Sequence, residues 1–250
     1  MINCRFHCRL AVRTILICIL MSLASCVSIH DIPDTPVPIE PTRPATKLPP
    51  SKDWSSRWLR GEPCFAPCWE GITPGRTSAM VAVDLLSRSS LVARVEMTTS
   101  RLTPEYGEIN WDWSEGQGGG RASFHTNSPD QTVYAVSPDF PTSFELRDVI
   151  QAYGDPSHVL AAAGHGPDFG SGISYDLWIV DQSQGFAVRT GGHSKPVLGA
   201  DMLLNDVVFF DPADMGFISP SEWLVPWQGI RDFEFYCHDE ESGRACHSEN

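Results

Sequence analysis

Seven prolines within residues 31–50 limit where this chain can fold. The segment reads DIPDTPVPIEPTRPATKLPP and holds few large apolar side chains. Proline fixes φ and removes a backbone donor, so this density favours extended polyproline II over helix or sheet. Such a segment is a semi-stiff spacer. We therefore expect the folded part to begin near Asp53 or Trp54.

The first thirty residues carry the pattern of a secretory signal. Arg5, Arg9 and Arg13 precede a short apolar run over residues 15–21, and no acidic residue occurs before Asp31. Small residues follow the run, and the combination predicts a signal peptide over residues 1–25. The run is shorter than the ~20 apolar residues that a membrane-spanning helix needs, so it is not expected to remain as a span.

The sequence Leu23-Ala24-Ser25-Cys26 resembles the lipobox of bacterial lipoproteins. The resemblance implies that the Cys26 thiol receives a diacylglyceryl group and that the amine freed by cleavage can be acylated too. Two or more acyl chains hold a protein stably on a membrane. The alternative is an ordinary signal with an incidental cysteine. We expect a lipidated Cys26 and a stalk over residues 26–53, carrying one extracytoplasmic domain over residues 54–250.

Acidic side chains outnumber basic ones. The full chain has 31 Asp and Glu against 18 Lys and Arg. Cleavage after residue 25 removes three arginines, which leaves 15 basic side chains against 31 acidic ones and a net charge near −16. This excess repels nucleic-acid phosphates and anionic lipid headgroups, so no nucleic-acid partner is expected.

A helix followed by alternating strands is predicted in the first half of the domain. Thr77 or Ser78 can cap a helix on which Val81, Leu85 and Leu86 share one face. Further on, Ile109, Trp111 and Trp113 alternate with polar residues, which predicts a strand. The glycine-rich stretch over 116–120 predicts a turn, and a return strand is predicted from Ala122 to Phe124.

The second half shows the same order of elements. Ser143 is predicted to cap a helix that ends at Gly154-Asp155-Pro156. The apolar residues at helical spacing are Leu146, Val149, Ile150 and Tyr153. Two strands are then predicted around a turn at 181–185, with further strands at 207–210 and 232–237 and a short helix over 219–223.

The order of a helix followed by a β-hairpin occurs twice in the sequence, and this order predicts an α+β fold. The helices are expected to pack on one face of an antiparallel sheet whose other face meets water. The domain is expected to be single, with two repeat-like halves at about residues 71–140 and 141–237.

Four cysteines follow the lipobox, and outside the cytoplasm an even set favours disulfides. They are Cys64, Cys68, Cys237 and Cys246, and three pairings are possible. Proximity along the chain favours Cys64–Cys68 and Cys237–Cys246. The alternative is a zinc site in which His238 and His247 join the thiolates. Because the spacing is not that of a regular zinc motif, we expect no metal and no cofactor.

The segment from Cys64 to Gly75 resembles one in uncharacterised bacterial lipoproteins. It reads CFAPCWEGITPG, a Cys-x3-Cys-Trp-x-Gly-Ile-x-Pro-Gly pattern, and the turn Tyr153-Gly154-Asp155-Pro156-Ser157 also resembles that family. The resemblance covers most of residues 63–237 and implies no activity. Residues 71–86 and 146–159 are similar to small outer-membrane assembly lipoproteins of the SmpA/OmlA type and to β-lactamase-inhibitor-like repeats. That similarity implies protein binding without catalysis.

Catalytic motifs are missing from the sequence. It has no Gly-x-Ser-x-Gly, Ser-x-x-Lys or His-Glu-x-x-His, and the histidines at 125, 158, 165 and 193 are scattered. Glu108 and Asp112 alternate with Trp111 and Trp113, which leaves a glycan-binding or glycan-hydrolysing site as one alternative. The outward face of a strand needs polar residues anyway, and most of the eight tryptophans are expected in the core.

These patterns predict a tethered lipoprotein rather than an enzyme. It is expected to bind another envelope protein or to serve envelope maintenance, anchored to a membrane through its lipid. Cell-wall glycan binding or hydrolysis and metal binding remain as alternatives.

Overall fold

The computed structural model describes residues 54–99, 103–115, 118–164, 173–214 and 223–239. The predicted signal peptide, Cys26 and the stalk lie outside these residues. Within them, no helix is long and apolar enough to cross a membrane.

Short helices and many strands make up the described part. The helices are a 3-10 helix Trp54–Arg60, α1 Ala79–Arg88, α2 Leu146–Tyr153 and α3 Phe233–Tyr236. The strands are β1 Val92–Thr99, β2 Tyr106–Trp113, β3 Gly119–His125, β4 Val133–Pro138, β5 Phe144–Glu145, β6 His158–Gly164, β7 Ser174–Asp181, β8 Phe186–Gly192, β9 Leu203–Leu204, β10 Asp206–Phe210, β11 Val225–Pro226 and β12 Cys237–Asp239.

One large sheet dominates the architecture. Its strand order is β1-β2-β3-β4-β10-β8-β7-β6-β11, and every neighbouring pair on this path is antiparallel. Strand β12 adds to β6 in parallel, and β5 and β9 form a separate pair. The fold is therefore mainly β, and α+β only in a broad sense.

The two halves of the sheet meet at β4 and β10. Four strands in a meander follow α1, and β6, β7, β8 and β10 follow α2. The contact between the halves is short: Val136 lies opposite Phe209, and Ala135 lies opposite Phe210. We call this pairing the seam.

The helices cover one face of the sheet. Ile109, Trp111 and Trp113 alternate along β2 and are buried, and they share a core cluster with residues of α1 and α2. The other face carries Asn110 and Asp112 of β2, and no described helix packs on it. We call it the helix-free face.

The first helix begins as predicted but is rotated. Ser78 is the N-cap, and its Oγ accepts a hydrogen bond from the Val81 N–H at 3.4 Å. The buried positions are Ala79, Ala82 and Leu86, whereas Val81 is 51% exposed. The prediction that Val81 shares one face with Leu85 and Leu86 is wrong, because the face that packs on the core is the one that carries Ala79, Ala82 and Leu86.

The cap predicted for the second helix is also wrong. Glu145 is the N-cap of α2, and Asp148 completes a capping box with it. Ser143 instead donates from Oγ to Asn205 Oδ1 at 3.0 Å. The predicted end is confirmed: the helix stops at Tyr153, and Gly154 follows with φ of 88°.

Several strands lay outside the sequence prediction. Strands β1 and β4 extend the predicted first hairpin to a four-stranded meander, and β6 extends the predicted second hairpin in the same way.

The prediction of a strand over residues 232–237 is wrong. Phe233 and Tyr236 lie three residues apart and are both buried, which fits the helical turn α3. Residues 219–222 of the third predicted helix lie outside the described residues.

Five tryptophans are buried, as expected for the core. They are Trp54, Trp58, Trp69, Trp111 and Trp113. Trp69 stacks on Trp111 with ring centroids 5.3 Å apart. Trp58 stacks on Tyr153, whose hydroxyl donates to the Trp58 carbonyl at 2.6 Å. Large rings of this kind account for much of the buried apolar area.

Candidate functional site

A shallow groove of about 500 Å³ crosses the seam on the helix-free face. The first half contributes residues of β2, β3 and β4, and the second half contributes residues of β7, β8 and β10. Its polar and aromatic lining includes Asn110, Asp112, Arg121, Ser137, Asp139, Trp178, Arg189 and Asp206. Because both halves line it, the groove exists only when the seam is closed.

Strand register places the side chains of the second half together. Arg189 of β8 lies between Trp178 of β7 and Asp206 of β10, each directly opposite it on a neighbouring strand. Asp176 is two residues from Trp178 on β7 and therefore points to the same face. The alternation of β7 and β8 thus brings two carboxylates, one guanidinium and one indole to adjacent positions.

Arg189 is held on several sides. Its Nε donates to Asp176 Oδ1 at 2.7 Å, and Nη2 donates to Oδ2 at 3.2 Å. Nη1 lies 3.7 Å from Asp206 Oδ2, and the guanidinium carbon is 5.1 Å from the centre of the Trp178 ring. The indole Nε1 donates to Asp176 Oδ2 at 3.1 Å. These contacts hold both large side chains in place.

The carboxyl group of Asp206 has an unfavourable environment for its charge. Burial raises its pKa, Arg189 lowers it, and the nearby carboxylates of Asp139 and Asp176 raise it again, with a raised pKa as the net result. An additional positive group in the groove would offset this repulsion.

Ion pairs continue across the first half of the face. Arg94 Nε donates to Asp112 Oδ2 at 2.8 Å, and Arg121 lies 3.7 Å from Glu108. All four side chains are substantially exposed, so these pairs add little stability and leave the charges accessible.

Close backbone approach requires glycine at the edge of the groove. A Cβ at Gly119 would lie 1.7 Å from the Trp111 carbonyl oxygen, and one at Gly120 would lie 2.1 Å from the Trp111 ring. Strand β3 begins at Gly119, so the last two residues of the predicted turn over 116–120 belong to a strand.

The predicted acidic pair and the tryptophans beside it lie on opposite faces. Glu108 and Asp112 are on the helix-free face, whereas Trp111 and Trp113 are buried in the core. The two carboxylates are paired with arginines on an open surface. Trp111 and Trp113 therefore do not contribute to an aromatic patch beside Glu108 and Asp112.

One predicted disulfide is confirmed. Cys64 and Cys68 are bonded, with Cα atoms 5.7 Å apart. Cys237 is also disulfide-bonded, and Cys246 lies outside the described residues. A bonded pair supplies no thiolate, so Cys64 and Cys68 do not serve the zinc alternative in this state. Among the described residues no group of three or more His, Cys, Asp or Glu could hold a metal ion.

The histidines that the structure describes make separate local contacts. His125 Nε2 lies 3.4 Å from Asp214 Oδ2 and packs on Tyr134 with ring centroids 4.5 Å apart. His158 Nδ1 lies 2.9 Å from Ser157 Oγ. His165 lies outside the described residues.

Sequence reasoning did not find Arg189, Asp206 or the groove. Each residue looks like an ordinary outward position on a strand. Their meeting depends on which strands are neighbours, and the alternation within one strand carries no such information.

Comparisons of the chain with protein-family models, curated proteins and solved structures find no match.

Proposed function

We propose that this chain is a membrane-anchored extracytoplasmic lipoprotein whose helix-free face binds a basic protein partner. The observation that carries the proposal is the groove across the seam, with Trp178 and Arg189 held in place inside it. No catalytic step is part of the proposal.

The residue types in the groove favour a protein partner. Tryptophan and arginine dominate the binding energy of many protein interfaces, especially where they are fixed and surrounded by other contacts. Trp178 and Arg189 are both partly exposed, and their mutual contacts leave little conformational entropy to lose on binding. An open groove also suits a convex protein surface better than a small ligand, which needs deeper enclosure.

Charge favours a basic partner. Asp112, Asp139 and Asp206 line the groove together with Arg121 and Arg189. The chain after residue 25 has 31 acidic side chains against 15 basic ones, because three of the 18 precede the cleavage site. Complementary charge speeds association and rejects acidic competitors.

The anchor is supported by the N-terminal sequence. The arginines, the short apolar run and Leu23-Ala24-Ser25-Cys26 fit a lipoprotein signal, and a proline-rich stalk would hold the domain away from the bilayer. The equivalent order of elements in the two halves supports a unit used twice, joined through the last strand of each meander.

Site-specific photo-crosslinking tests the binding face. A photoreactive residue replaces Ser137 in the groove or, as the matched control, Gln151, which is exposed on α2. We expect a protein adduct from position 137 and none from 151. The captured protein is then identified and purified, and its affinity is measured against the parent protein and the W178A, R189A and Q151A variants.

The expected result is at least a tenfold loss of affinity, about 1.4 kcal/mol, for W178A and R189A and no change for Q151A. Added salt should slow association. Equal adducts from both positions, or unchanged affinity in W178A and R189A, would overturn the proposal. Inhibition of capture by cell-wall glycan fragments would support the glycan alternative instead.

A further inference from the structure

Strand β1 forms an open edge of the large sheet. Among the described strands it pairs with β2 alone. Residues 93, 94 and 96–99 are exposed, and only Val95 among the residues after Val92 is half-buried. An exposed strand edge is a template for another strand.

The direction of the backbone groups on this edge follows from the hydrogen-bond pattern. The Trp113 N–H donates to the Gly118 carbonyl at 3.2 Å, so Trp113 bonds toward β3. Directions alternate along an antiparallel strand, so Asn110 and Asp112 bond toward β1, where they lie opposite Glu96 and Arg94. Val95 and Met97 therefore present their N–H and C=O groups to the open edge.

The edge is also unobstructed by the neighbouring helix. The Ala79 N–H donates to the Gln131 carbonyl at 2.9 Å, so the start of α1 lies beside the strand β4. The helix ends at Arg88 and β1 begins at Val92, so the C-terminal end of the helix lies near the start of the strand. Further along the strand, Met97 is 43% exposed.

We propose that β1 pairs antiparallel with β1 of a second copy, about a two-fold axis at Val95. In this register Arg94 lies opposite Glu96 of the second copy, and Glu96 lies opposite Arg94 of the second copy. Opposite charges at directly facing positions favour pairing. On the other face, Val95 meets its own equivalent.

The charges select this register over its neighbours. Moving the axis to residue 94 places two arginines opposite each other, and moving it to residue 96 places two glutamates opposite each other. Both arrangements are unfavourable. Shifts that break the two-fold relation lose the equivalence expected of a closed dimer. The sequence of β1 is thus self-complementary in one antiparallel register.

Register-specific crosslinking tests the pairing on the full-length protein, purified in detergent. Chains carrying R94C and E96C, distinguished by tags, are mixed and oxidised. We expect an interchain disulfide in the mixture, because directly opposite Cα atoms are about 4.5–5.5 Å apart. Either variant alone should crosslink poorly, since its two cysteines are diagonal neighbours about 7–8 Å apart. The parent protein treated in the same way controls for its own cysteines.

A second variant tests the edge without a new cysteine. Met97 N–H points away from β2, so M97P removes a donor from the open edge and keeps the ladder with β2. Light scattering should give a dimer for the parent protein and for M97A, and a monomer for M97P with an unchanged circular dichroism spectrum.

A parent protein that stays monomeric at its highest soluble concentration would overturn the proposal. So would equally efficient crosslinking of R94C alone. Neither of these outcomes involves binding in the groove, so the proposed function is tested separately by the photo-crosslinking experiment.

Discussion

Arg189 and Trp178 face each other across β8 and β7, with the guanidinium carbon 5.1 Å from the centre of the indole ring. A cation over an aromatic face at an exposed site contributes about 0.5–1 kcal/mol. Asp176 binds both side chains, so the three form one fixed group.

Replacing Arg189 with lysine should weaken both the fold and partner binding. Lysine keeps the charge but loses the two-pronged contact with Asp176 and the planar stacking on Trp178. We expect R189K to lose about 0.5–2 kcal/mol of unfolding free energy, measured by urea denaturation. The matched control is R121K, whose parent side chain is exposed and lies 3.7 Å from Glu108, and which should change stability by less than about 0.5 kcal/mol. Equal losses in the two variants would contradict this prediction.

Breaking the Cys64–Cys68 disulfide should destabilise the domain modestly. The bond closes a very short loop, for which the chain-entropy model gives about 2 kcal/mol. We expect C64S, C68S and the double variant to lose similar amounts of unfolding free energy, and reductant to lower the parent protein to the same level. A parent protein unaffected by reductant would show that this bond contributes little.

Replacing Arg57 with alanine should lower the unfolding free energy more than replacing its partner Glu70 with the neutral glutamine. Arg57 Nε donates to Glu70 Oε1 at 3.0 Å, and the pair joins the 3-10 helix to the segment after the disulfide. R57A leaves a largely buried carboxylate without its cation, so we expect a loss of about 1–3 kcal/mol. E70Q keeps a hydrogen-bonding side chain and should lose less.

The same pair predicts a pH dependence. Burial raises the pKa of Glu70 above 4.5, although its contact with Arg57 opposes the shift. The folded state therefore binds the proton more tightly than the unfolded state, and this contribution to stability is lost as pH rises from 4.5 through the raised pKa. The unfolding free energy of E70Q should fall less than that of the parent protein over this range. A steeper fall in E70Q would contradict the direction of the shift.

Replacing Cys26 should remove the membrane anchor. A thiol is needed for diacylglyceryl transfer, so C26S should lose incorporation of labelled palmitate. C64S serves as the matched control and should keep both the label and the membrane fraction. Label retained in C26S would place the lipid elsewhere, and an unlabelled parent protein would show that the segment is an ordinary signal.

Elements with strong local signals were the predictable ones. In α2, Leu146 and Val149 share a buried face, and Gly154 at φ of 88° stops the helix. The hairpin of β7 and β8 combines alternation with a clear turn. Strand β1 gave no such signal, because an edge strand with most residues exposed need not alternate.

The candidate site could not be predicted for a different reason. Arg121 and Ser137 line the same groove as Arg189 and Asp206 because β4 and β10 are neighbours. That pairing joins Val136 to Phe209 across a long stretch of sequence. Local patterns determine which face a residue occupies, but they do not determine which distant strand lies beside it.

The short seam has a consequence for how long each copy survives. A molecule bound in the groove touches both meanders, so it would act as a clamp across the Val136–Phe209 pairing. A ligand that binds only the folded state adds about 2.7 kcal/mol when present at 100 times its Kd. Under the proposed function, copies with a bound partner would resist proteases, whereas unbound copies would open more often and be degraded. Turnover would then match the amount of this protein to that of the partner.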